Sequence, residues 1–177
     1  MTNFKLATSA LLLSAFAGTV SAGDVASSTV VWNGIVPSSI PSGDRIITGF
    51  NGNLTALTGT ILADTTGKFE SSEIVLEAHE YTPANADSGE VEVIGDLKAS
   101  VWEVVRASVT YNGAPVTGVD FKVYANKTEV AVGGQFGETG TGYERVTWTM
   151  SQVADLPVET VGGATAQASL TVVITDA

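Results

Sequence analysis

Two stretches without a single charge, residues 25–36 and 164–175, alternate in period two and confine both ends of the chain to extended structure. A period of two sends successive side chains to opposite faces, where a helix would need apolar spacing near 3.6. In the later stretch Ala166, Ala168, Leu170, Val172 and Ile174 fall on one face. Gln167, Ser169, Thr171 and Thr175 fall on the other, and Val173 alone breaks its polarity. In the earlier stretch Ala26, Ser28, Val30, Trp32, Gly34 and Val36 share a face, opposite Val25, Ser27, Thr29, Val31, Asn33 and Ile35. The even face combines small residues with one large anchor at Trp32, and Gly34 permits close backbone approach, so this is the face expected to insert. Soluble proteins ordinarily shorten, charge or cover a strand edge. An uncharged terminal strand therefore pairs either inside its own domain or with the edge of another subunit.

Between these ends, short runs of Val, Ile, Thr, Tyr and Trp recur between Gly, Asn, Asp and Pro. Strands are expected over residues 45–50, 74–80, 90–94, 98–111, 119–124, 129–132 and 143–150; residues 54–63 read as strand or irregular structure. In the 74–80 run Ile74, Leu76 and Ala78 face inward, leaving Val75, Glu77 and His79 on a wet face. Val146, Trp148 and Met150 are core positions, and Asn112-Gly113 marks a hairpin turn. Eight or nine strands without a linker or repeat predict one all-β sandwich. Trp102 and Trp148 are expected in its inter-sheet core; exposed, they would offer stacking platforms for sugars.

Lys5, the apolar run at 6–17 and Val20-Ser21-Ala22 read as a secretory signal over residues 1–22, which predicts export. No later stretch approaches the length of a membrane-spanning helix. The chain contains no cysteine, so stability must come from packing and sheet hydrogen bonds. A formal charge of −11 repels phosphate backbones and argues against a nucleic-acid partner.

Nothing assembles into an enzyme. His79 is the only histidine and has no Ser/His/Asp order around it. Asn85, Asp87 and Glu90 lack the ligand series of a calcium loop and read as a solvated turn. The glycines of 133–142 are followed by no helix and include no lysine between them, so they form a surface loop, not a phosphate cradle. Asn53 and Asn126 fit the glycosylation pattern, which matters only on a eukaryotic secretory route. No catalytic residue, metal or cofactor is expected.

The run Val31-Trp32-Asn33-Gly34-Ile35-Val36-Pro37, close behind the predicted cleavage site, resembles the start of major subunits of chaperone–usher fimbriae, the cysteine-free colonisation-factor type in particular. The likeness extends to chain length, leader, Gly/Asn-rich body and uncharged final strand. Between about residues 50 and 161 it is one of character only. It implies an incomplete immunoglobulin-like β-sandwich that is completed by a donor strand. Residues 1–22 would be the signal peptide, 23–37 the donor extension and 38–177 the pilin domain. Ala26, Ser28, Val30, Trp32, Gly34 and Val36 would enter a neighbouring copy. Ala166, Ala168, Leu170, Val172 and Ile174 would line the groove edge that a periplasmic chaperone first captures, before an outer-membrane usher hands it to the next subunit. The implied function is a structural fimbrial subunit on the cell surface, polymerising by donor-strand exchange and supporting adhesion, with a host-surface receptor as a further partner. The ending Ile174-Thr175-Asp176-Ala177 departs from pilins with a penultimate aromatic. A second reading is a monomeric secreted sandwich acting as an adhesin or glycan binder.

Overall fold

The computed structural model describes residues 28–34 (as backbone), 44–55, 57–85, 89 and 91–177. The predicted signal peptide, Ala26 and Val36 lie outside these residues, as do Asp87 and Glu90. Twelve strands are present among them: β1 (Ser28–Gly34), β2 (Arg45–Gly49), β3 (Leu57–Ala63), β4 (Phe69–Ser71), β5 (Ile74–Thr82), β6 (Val93–Leu97), β7 (Ser100–Tyr111), β8 (Phe121–Ala125), β9 (Thr128–Glu129), β10 (Gln135–Phe136), β11 (Arg145–Gln152) and β12 (Ala166–Asp176). A 3-10 turn (Phe50–Gly52) and one short helix, α1 (Val158–Val161), complete the described elements.

The strands form two antiparallel sheets. The larger runs β1-β3-β4-β11-β5-β2, with β6 added beside β5 and the β8–β9 hairpin beside β11. The smaller is β10-β7-β12. This is an all-β chain with the layering of a sandwich, as the alternation predicts. Its core lies between the sheets, where Trp102 of β7 meets Trp148 of β11 with ring centroids 6.3 Å apart and planes at 57°. Ile61, Val104, Val146 and Met150 are fully enclosed around them. Burial of Trp102 and Trp148 removes both as sugar platforms. Trp102 Nε1 also donates to the Tyr143 carbonyl at 2.8 Å, satisfying the one polar group of that ring.

The long strand β7 does not keep one alternation. Trp102 and Val104 face inward in its first half, but Val109 and Tyr111 in its second. The register with β12 steps from Thr171↔Arg106 to Val172↔Val104, so Val105 is a bulged extra residue with no partner. One inserted residue exchanges inner and outer faces. The strand β12 carries no such break, and Ala166, Ala168 and Val172 are buried along it, with Leu170 and Ile174 packed at the core margin.

Two expectations need correction. Glu77 is not on a wet face: it is fully buried, because the 3-10 turn after β2 and the Arg145 side chain cover the outer surface of β5. The glycine-rich segment 133–142 is a structured element, not a plain surface loop. It contains β10 and a Glu138↔Thr141 bridge, and its Phe136 ring stacks on Tyr143 just beyond it at 4.4 Å. Gly140 takes φ +87 at the tip of that bridge, a conformation side chains disfavour.

Met150→Ala deletes an enclosed side chain between the sheets. It should cost about 2–5 kcal/mol, read as a lower denaturant midpoint with an unchanged m-value.

Candidate functional site

The predicted terminal strands come together along one edge of the sandwich. β1 pairs antiparallel with β3 of the same chain, in the register Ser28↔Ala63, Val30↔Ile61, Trp32↔Gly59 and Gly34↔Leu57, with Thr29, Val31 and Asn33 opposite Leu62, Thr60 and Thr58. On β3, Gly59 and Ile61 are buried and Leu57 and Ala63 half-buried, whereas Thr58, Thr60 and Leu62 are exposed. Directly opposed residues of an antiparallel pair share a face. The even-numbered positions of β1 therefore stand at the core-facing register of β3, and Trp32 is placed opposite the one β3 residue without a side chain. A glycine inside a strand weakens it and marks a place of close approach.

On its other flank β1 comes within 8 Å of β12, Cα to Cα. Among the described residues β12 pairs as a strand with β7 alone, so its second edge is turned to this seam. The face carrying Ala166, Ala168, Leu170, Val172 and Ile174 is thus the inner wall of a cleft. Its opposite wall is Leu57, Gly59, Ile61 and Ala63, and β1 runs through it. The sequence finds both strands; over residues 54–63 it leaves strand and irregular structure open, and β3 settles that segment as strand.

Two buried charges tie neighbouring strands together, and neither is evident from the sequence. Arg45 of β2 is buried and reaches from the large sheet to the small one. Its Nη1 donates to the Ala99 carbonyl at 3.1 Å, Ser100 Oγ at 2.8 Å and the Thr175 carbonyl at 3.2 Å, and its Nη2 pairs with Asp176. This fastens the end of β12 to β7 and β2. On the outer surface of β5, Glu77 accepts from Arg145 Nε at 2.6 Å and from the Gly52 backbone N–H at 3.2 Å. His79 Nε2 lies 3.1 Å from the same carboxylate and Nδ1 lies 2.9 Å from the Gly95 carbonyl. The lone histidine is therefore a structural partner of a buried acid. Burial alone would raise the Glu77 carboxyl, but the bonds from Arg145, His79 and the 3-10 turn outweigh it and hold it below its ordinary 4.5. Arg145 also lies over the Phe50 ring, 5.7 Å from its centroid.

No family model, curated protein or solved structure matches this chain. No group of three or more potential metal ligands occurs among the described residues.

A carboxyl held below its unfolded value adds stability that is complete above about pH 4.5 and disappears as pH falls through the folded value. The thermal midpoint should hold steady from pH 7 to 5.5 and drop below pH 4.5. Glu77→Gln should lose about 1–3 kcal/mol at pH 7 and show a shallower acid slope in the same melts.

Proposed function

We propose that this chain is a structural subunit of a surface fimbria, polymerising through exchange of its N-terminal strand. The observation carrying this reading is the register of β1 on β3, beside the singly paired edge of β12. A strand at the start of a chain that closes the sandwich at its edge can be supplied equally well by another copy. Donor and acceptor surfaces then differ, so the contact is heterologous and extends into an open fibre. The resemblance of residues 31–37 to fimbrial subunits supplies the biological setting: export, capture of β12 by a periplasmic chaperone and transfer at an outer-membrane usher. The immunoglobulin-like description of the sandwich belongs to the same proposal.

The energetics suit it. Of the four core-facing positions on β1, Val30 and Trp32 carry apolar side chains, each worth about 1.5–3 kcal/mol on burial, in addition to a seven-pair ladder. Without cysteine, sheet completion is the strongest bond available between subunits.

The pairing of β1 within its own chain also favours a second reading, a self-contained secreted sandwich acting as a monomer. With Trp102 and Trp148 buried, a glycan-binding version must rely on other surfaces, such as the partly exposed Tyr143.

Deletion of residues 23–37 separates the two. A fimbrial subunit forms detergent-resistant ladders in unboiled gels and loses them on deletion while still being captured by its chaperone, whereas a monomeric sandwich forms no ladders as the full chain and loses solubility once its seam is opened. Trp32→Asp and Gly59→Trp should each abolish the ladders by filling or charging the same register position; normal fibres from both would sink the proposed face.

A further inference from the structure

We infer that the N-terminal strand caps its own chain's cleft, and that this self-capped state holds the free subunit out of the polymer. The inference rests on the strand-exchange reading above and adds a regulation to the same site. β1 occupies the outer edge of β3 along all seven residues from Leu57 to Ala63. That edge has one row of backbone donors and acceptors, so it accepts one strand at a time. A neighbour's strand, which carries the same residues, would compete for the same register and bury the same side chains.

Identical contacts leave connectivity to decide the competition. A strand tethered to its own cleft has an effective concentration of order millimolar. Against a neighbour present at about 1 μM, the tethered strand is favoured roughly a thousandfold. Exchange must therefore await unzipping of the seven pairs, and it is limited by opening, not by encounter. A periplasmic factor that occupies the edge of β12 first would lift the block by keeping β1 from seating. The uncharged composition of residues 25–36 serves both states, since either pairing takes the strand out of water.

The register supplies the test. Val31 and Thr60 stand directly opposite each other on β1 and β3, where an antiparallel pair sets Cα atoms about 4.5–5.5 Å apart, within disulfide reach. In a chain without cysteine, Val31→Cys with Thr60→Cys provides the only pair that can form. Oxidised at low concentration, the full exported chain should give an intrachain-linked monomer that forms no ladders and takes up less than about a tenth as much synthetic peptide of residues 25–36; reduction should restore both. On the unmodified chain, the rate of peptide uptake should plateau with peptide concentration at the opening rate.

Interchain links without any intrachain product would overturn the inference while sparing the exchange reading. So would a linked monomer that polymerises at the reduced rate constant, or an uptake rate that rises in proportion to peptide throughout. If the reduced form neither polymerises nor takes up peptide although the intrachain link forms, the exchange reading itself fails and the inference falls with it.

Discussion

The structure depends on closing the seam between β3 and β12. Each strand is satisfied on one side, β3 by β4 and β12 by β7, and each turns an apolar face toward the same cleft. Left open, the seam would expose both aliphatic walls and a strand edge, the combination that drives chains to associate. A strand laid along β3 removes both liabilities. In this chain that strand is its own β1.

A chain that relies on such a seam without covalent staples needs stiff walls. Arg45 supplies this for β12, while Glu77 acts on the outer surface of the large sheet. Arg45 ties the far end of β12 to β7 and to the opposite sheet, and Glu77 gathers the 3-10 turn, β5 and β11 into one hydrogen-bonded cluster. Buried ion pairs are seldom net stabilisers compared with apolar packing, but losing one partner is costly, and they fix which neighbours meet. Here they fix which strands meet: β2 with β7 and β12 through Arg45, and β5 with β11 through Glu77.

Much of this was legible in the residues. The uncharged alternation of 166–174 gave β12 and its inner face, and Val146, Trp148 and Met150 gave the inner face of β11. β1 itself pairs with β3 of its own chain, its even-numbered positions opposite the core-facing residues of that strand. What escaped was of three kinds. Strands of two or three residues, such as β4, β9 and β10, are too short for any period to register. Faces that depend on distant covering also hid: Glu77 looks solvated until a turn 25 residues earlier folds across it. The β7 bulge is a third kind, because nothing in Val104-Val105-Arg106 announces which residue is surplus.

That bulge sets how this domain tolerates changes in length. Removing one residue at Val105 would rejoin the ladder in a single phase and rotate one half of β7 to the wrong side, sending Trp102 toward solvent or Tyr111 out of the interior. The Thr139-Gly140 tip, by contrast, can lengthen without altering any strand's facing. Natural variation in copy length should therefore gather at that tip and spare the centre of β7, whatever the side chains there become.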